Sequence, residues 1–506
     1  MTTGDNFDHG VGRLRKSTID KDLRKLERIE VATRAIGKDQ FSIGMAVVFL
    51  CVIAAFAAFY FGSQPGAVIL VVAAVLAGYM ALNIGANDVA NNVGPAVGSR
   101  ALTMMGALII AAVCESAGAL IAGGDVVKTI SKGIIDPAQV ANSQDFIAAM
   151  LAALCASAVW VNIATYVGAP VSTTHAVVGG VVGAGVSAVG FGVVDWGVMA
   201  AIALSWVISP ILGGIIAALF LAFIKANIIY RDDKIAAARL WVPALIASMC
   251  SAFGAYLMIK GFKQIWIPSA GMVVATSFGV FVAAYLVLNP VIARQSEGME
   301  NRNQSLRKLF HIPLIFSAAL LSFAHGANDV ANAIGPLAGI LHALETGNIA
   351  GNVKIPFWVM LIGALGISIG LFLFGPKLIR MVGENITRMN PIRAYCVALS
   401  AAITVIIASA LGLPVSSTHI AVGAVFGVGF FREYYITHSR VRREYLERKG
   451  VPPAKDLEVK RDAPELIRRK LVRRQHFTVV VAAWLITVPA AGALSAILYQ
   501  LIRANM

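Results

Sequence analysis

The sequence predicts an all-α polytopic membrane protein built from two inverted-topology repeats, with interrupted helices or re-entrant hairpins. Three observations lead there: a large apolar excess, its division into charge-free runs of membrane-crossing length, and two polar motifs that each occur twice in the same order.

Of 506 residues, 58% are apolar and 14% charged, more hydrophobic material than one soluble core of that length uses. Residues 42–62 carry no charge, and at ~1.5 Å per residue such a run crosses a ~30 Å hydrocarbon layer. Similar runs follow at 67–86, 100–122, 146–166, 170–190, 197–223, 240–259, 267–289, 311–327, 356–375, 394–411, 415–431 and 477–500. The chain divides into a basic N-terminal region 1–41, an extra membrane helix 42–66, a first repeat 67–225, a connecting segment 226–310 with two membrane helices, and a second repeat 311–506 that includes a polar loop 431–475.

The formal charge of +15 does not point to nucleic acid. Most Lys and Arg fall in the polar stretches 1–40, 225–239, 291–310, 376–393 and 430–475, where a membrane protein meets anionic headgroups. The basic-inside bias makes these stretches cytoplasmic and puts the N terminus inside. It puts the C terminus outside if all thirteen runs cross. Residues 14–37 have the pattern of an amphipathic surface helix, not of a cleaved leader. Cys51, Cys114, Cys155, Cys250 and Cys396 sit in apolar runs without CxxC spacing, which assigns them to packing.

GANDVANNVGPAVG at 85–98 returns as GANDVANAIGPLAG at 326–339, and GAPVSTTHAVVGGVVGAG at 168–185 returns as GLPVSSTHIAVGAVFGVG at 412–429. A weaker echo pairs SWVISPILGG at 205–214 with AWLITVPAAG at 483–492. An odd number of crossings per duplicated unit inverts the second copy, an arrangement that places a site at the repeat interface near the midplane.

Asn87, Asp88, Asn91 and Asn92, with Asn328, Asp329 and Asn332, bring carboxylates and amides into membrane segments. A charge there costs ~2.5–3.5 kcal/mol on insertion scales, so Asp88 and Asp329 are candidate cation or coupling-ion ligands. The plainer reading is that they cap a broken helix. Gly85, Gly94, Pro95, Gly326, Gly335 and Pro336 predict local interruption of both motif helices. Ser172, Thr173 and Thr174, with Ser416, Ser417 and Thr418, follow a proline at a predicted helix start, which suits an oxyanion; helix capping is again the alternative. His175 and His419 are candidate proton or gating groups, or hydrogen-bonding members of the bundle. Beyond Arg100 at the edge, Glu115 is the sole charge in 100–122 and joins the coupling-ion candidates, with a structural pair in the bundle as the alternative. Lys128 and Lys377, near segment ends, are candidates for an anion pathway or for snorkelling.

The paired GAND and PVS motifs resemble the inorganic phosphate transporter family usually called PiT, over roughly 67–225 and 311–500 and including 123–136 and 375–387. The resemblance implies secondary uptake of inorganic phosphate by alternating access, coupled to sodium or protons, with substrate contacts at Asn87, Asn91, Ser172, Thr173, Thr174, Asn328, Asn332, Ser416, Ser417 and Thr418. If sodium is the coupling ion, Asp88 and Asp329 are its metal ligands. A slight lean goes to protons, because the short 431–475 loop looks microbial. Sulfate, or neutral complexes of phosphate with divalent metals, are further cargoes the family accommodates. Further expectations are a bacterial inner membrane, contact with lipid, a homodimer as candidate assembly, no cofactor beyond the coupling ion and no nucleic acid. Outside the class, a channel and a membrane-embedded hydrolase remain, though no HExxH or P-loop is present, so no enzyme is expected.

Overall fold

The computed structural model describes residues 40–62, 64–136, 139–140, 142–167, 171–261, 267–347, 355–381, 389–450 and 474–505. The expected surface helix at 14–37 and most of the loop beyond residue 450 lie outside these. Contacts group Leu50–Met506 into one body; the described part of the preceding unit is 40–49, which begins the first helix.

Among the described residues the structure is helical, with one isolated antiparallel bridge between Ile135 and Val194. The elements are α1 (Gln40–Phe61), α2 (Ala67–Asn87), α3 (Val89–Gly98), α4 (Met104–Ala122), α5 (Gly124–Lys128), α6 (Ser143–Val167), α7 (Thr173–Val189), α8 (Trp196–Ile224), α9 (Lys234–Tyr256), α10 (Ala270–Gln295), α11 (Asn303–Leu309), α12 (His311–Thr346), α13 (Phe357–Met381), α14 (Pro391–Ala410), α15 (Ser417–His438), α16 (Arg440–Arg448) and α17 (Arg474–Arg503). Eleven helices among the described residues are long and apolar enough to cross a membrane.

Two of the thirteen runs are not among the eleven helices of crossing length. Those at 170–190 and 415–431 become α7 and α15, which start inside the bundle on N-caps Ser172 and Ser416. With 17 residues, α7 reaches ~26 Å, short of a full crossing.

The duplication visible in the sequence governs the packing. A Cβ added at Gly85 would strike the carbonyl of Ile367, and one at the matching Gly326 would strike that of Glu115. Gly118 meets Phe323 while its counterpart Gly370 meets Leu82. Further out, Gly179 and Gly183 approach Val488 and Gly492, while Gly423 and Gly427 approach Pro210 and Gly214. Every contact maps onto another when the halves are exchanged, so α2 packs on α13 as α12 packs on α4, and α7 on α17 as α15 on α8. On the axis of this exchange the matching Ser116 and Ser368 share a hydrogen bond of 2.8 Å. Lipid supplies no hydrophobic drive between helices, so close backbone approach at glycines is what holds these pairs.

That role replaces the expected one for the motif glycines. The first motif helix is interrupted only at Asp88, the turn between α2 and α3; the second runs unbroken through Gly326, Gly335 and Pro336. Neighbouring helices enclose α12, and most of its residues are buried. The α9–α10 hairpin is peripheral: α10 buries only Leu288 and Ile292.

Candidate functional site

The two GAND motifs and the starts of α7 and α15 converge in the interior. Thr173 donates to Asp88 Oδ2 at 2.8 Å, and in the matching position Ser417 donates to Asp329 Oδ2 at 3.3 Å. The links also cross between halves. Asn91 donates to Thr418 Oγ1 (2.9 Å), and Asn332 to the Oγ1 atoms of Thr174 (3.0 Å) and Thr173 (3.3 Å). Thr418 in turn donates to Asp88 Oδ1 at 3.3 Å. Each aspartate is therefore held by hydroxyls, and each hydroxyl cluster by the other half's asparagine.

The helix starts are built locally as capping predicts. Ser172 and Ser416 accept from the amides of His175 and His419, both at 3.3 Å. Asn328 pins the linker before α15 by accepting from the Val415 amide and donating to Leu413 O and Ser409 Oγ. Thr174 donates to Val415 O at 3.0 Å. The hydroxyl protons of Thr173, Thr174, Ser417 and Thr418 are thus committed to carboxylates or backbone. The donors left for an oxyanion are the amides of Thr173 and Thr174 in α7 and of Ser417 and Thr418 in α15, which have no intrahelical carbonyl, and Asn87 Nδ2, which is buried without an acceptor among the described residues.

One feature breaks the symmetry. Asn92 donates to Glu115 Oε1 (2.9 Å), Glu115 Oε2 meets His325 Nδ1 (2.8 Å), and His325 Nε2 lies 2.7 Å from Asp329 Oδ2, off the ideal hydrogen-bond direction and so an electrostatic contact first. Glu115 and His325 are fully buried. At the matching positions stand Ala333, Ile367 and Ile84, so the other half carries no such chain. Sequence reading missed His325. Its signal was the one used for Glu115, an ionisable group within an apolar run, and its four-residue spacing from Asp329 puts both on one helical face.

Asp88, His325 and Asp329 bring one ligand atom each within 4.8 Å of one another. Asp329 Oδ1, Asn332 Oδ1 and Asn92 Oδ1 are buried acceptors without a donor. A set of unsatisfied hard oxygens beside two carboxylates fits a cation such as sodium. Access is uneven between halves: Asn328 and Asn332 are fully buried, whereas the matching Asn87 and Asn91 remain partly exposed.

Other candidates lie apart from this cluster. His175 and His419 face each other at 4.4 Å between ring centroids, with the Trp206 ring tilted by 46° against His175 at 3.9 Å. Among the described residues, neither ring nitrogen of His175 has a hydrogen-bond partner. Lys128 is half exposed and 4.0 Å from Asp125, and Lys377 is exposed on α13, so neither joins the site.

A duplicated helical membrane bundle with charged and amide side chains buried at the meeting of its halves defines a membrane transport protein. The chain belongs to the Phosphate transporter family, which it matches over residues 84–495. It is 43% identical to a Helicobacter pylori protein that carries the name phosphate permease, over 94% of this chain and 98% of that one. A Chlamydia muridarum protein of the same name is 37% identical over 86% and 99%. Among solved structures, one titled the sodium-dependent phosphate transporter matches with a TM-score of 0.76 and 34% identity, covering 87% of this chain and all of that one. The protein is a multi-pass membrane phosphate transporter, not an enzyme.

Proposed function

We propose that the protein is a sodium-coupled symporter that moves inorganic phosphate by alternating access between two inverted halves. The observation that carries this reading is the cross-linked lattice in which Asp88 and Asp329 are each held by the hydroxyls that start α7 and α15. Sodium and phosphate are opposite charges, and binding them side by side cancels the cost that either alone would meet in the bundle. Asp88, Asp329 and the donor-free oxygens of Asn92 and Asn332 take the cation. The amides of Thr173, Thr174, Ser417 and Thr418 at the starts of α7 and α15, with Asn87, take the anion. A cation that draws Asp88 away from Thr173 and Thr418 releases those hydroxyl protons for phosphate, which makes binding of the two cooperative. The unequal exposure of Asn87 and Asn91 against Asn328 and Asn332 supports a conformation in which access runs along one half only.

The slight lean to protons gives way to sodium because three buried oxygens, Asp329 Oδ1, Asn332 Oδ1 and Asn92 Oδ1, lack a donor, and the structural relative bears the name sodium-dependent. The basic polar stretches support an N terminus on the cytoplasmic side, in a membrane that we read as a bacterial inner membrane. Phosphate flux into proteoliposomes, with sodium and proton gradients imposed separately and voltage clamped, tests the reading. Uptake should follow sodium and be lost in Asp88→Asn. Uptake in sodium-free buffer that follows an inward proton gradient would overturn the coupling, and preferential sulfate flux would overturn the cargo.

A further inference from the structure

Far from the aspartates, Lys225 at the end of α8, Arg393 at the start of α14, Arg432 near the end of α15 and Arg442 in α16 come together. Sixteen residues of α14 separate Arg393 from Ser409, which touches Asn328, so the cluster lies about 24 Å from the central site along that helix. Lys225 is 8% exposed, its Nζ held over the rings of Tyr435 (4.2 Å) and Phe431 (5.5 Å). Arg393, Arg432 and Arg442 all repel it, and Arg432 and Arg307 repel Arg393.

Among the described residues, none of these cations is ion-paired with a carboxylate. Cations around them are provided for: Arg448 meets Asp232 at 3.0 Å, Arg440 meets Glu444 at 2.6 Å, and Lys234 meets the Tyr445 hydroxyl at 2.7 Å. Donors are also left over. Arg393 uses its amide and Nε on Asn390 Oδ1, but its Nη1 is buried without an acceptor, and so is the Tyr435 hydroxyl. Like charges packed in a partly desolvated site with spare donors oppose folding unless an acceptor-rich anion joins them, and guanidinium forks suit a tetrahedral phosphate group.

We propose that Lys225, Arg393, Arg432 and Arg442, with the Tyr435 hydroxyl, form a second anion site for a phosphate group, distinct from the central aspartate site. The group is either free inorganic phosphate or the phosphodiester of an acidic lipid headgroup. Either occupant ties α16 to the ends of α8 and α14.

Purified full-length protein is tested in two arms, binding of radiolabelled inorganic phosphate counted as sites per chain, and retention of phosphatidylglycerol against phosphatidylcholine by native mass spectrometry. The variant Arg393→Gln/Arg432→Gln should lower affinity tenfold or more in one arm, while Arg393→Lys/Arg432→Lys keeps most of it and Arg440→Gln leaves it unchanged. Loss of one phosphate site per chain assigns free phosphate; loss of phosphatidylglycerol assigns the headgroup. If the glutamine pair fails to fold, Lys225→Gln, which keeps the Arg393–Asn390 contacts, is read in its place with the same expectation. Wild-type affinity for both probes, or an equal loss in Arg440→Gln, would overturn the proposal.

Discussion

Replacing His325 by Ile separates the two uses of the Asn92–Glu115–His325–Asp329 chain. Glu115 is fully buried and keeps only the Asn92 amide once the imidazole is gone. Leaving one member of a buried pair alone costs about 3–5 kcal/mol, whereas replacing both by packed apolar groups is often neutral. The chain contains the apolar solution, since Ile84 and Ile367 occupy the matching positions in the other half and Gly85 still packs against the Ile367 backbone. Adding Glu115→Ile to His325→Ile should therefore recover roughly 2–3 kcal/mol of the loss, the remainder being Asp329, which keeps only Ser417. Thermal unfolding in detergent, followed by tryptophan fluorescence, measures both variants against the wild type. Sodium-driven phosphate uptake should be absent in both, because Asp329 has lost the group that positions it. A double variant no more stable than His325→Ile would refute the reasoning, and so would a double variant that transports normally.

Thr173→Val should weaken apparent phosphate affinity in proteoliposome uptake about ten-fold or more, since the hydroxyl proton that the cation releases from Asp88 then makes a hydrogen bond to a charged group worth roughly 1.5–3 kcal/mol, while Ser417→Ala should do less because its hydroxyl, 3.3 Å from Asp329, is not among those released from Asp88. Equal or reversed effects would count against the geometry. Gly85→Ala and Gly326→Ala should each destabilise by about 1–3 kcal/mol or more, because the new methyl meets a backbone carbonyl on the partner helix, whereas Gly279→Ala, with open space around it, should be neutral or stabilising; unfolding temperatures of the three variants decide it.

Reading the residues as a linear pattern worked where one segment's chemistry suffices. Asp88 and Asp329 stood out as charges in apolar surroundings, and both lie buried at the centre. The same reasoning misassigned the motif glycines and Pro336 to helix breaks, since whether a glycine breaks a helix or admits a neighbour depends on what lies across from it. Gly326 faces the Glu115 backbone, and α12 continues unbroken past it. Ser172 and Ser416 look like their hydroxyl neighbours in sequence, yet they cap helices while Thr173 and Thr418 reach Asp88. His325 stayed hidden because its meaning comes from Glu115, 210 residues earlier.

By itself the sequence determined the solvent, the approximate number of crossings and the twofold duplication, because the hydrophobic demand of a bilayer acts on each segment separately and a duplication is a property of the string. It also determined which polar residues could not be lipid-facing, since the cost of a charge in hydrocarbon does not depend on the fold. Only the tertiary structure decided how those residues are shared out. The exchange of helices between halves, α2 with α13 and α12 with α4, brings each asparagine to the other half's hydroxyls. Polar groups in a bundle are satisfied by whatever donor or acceptor packing puts within about 3 Å, and that partner is set by helix contacts hundreds of residues apart.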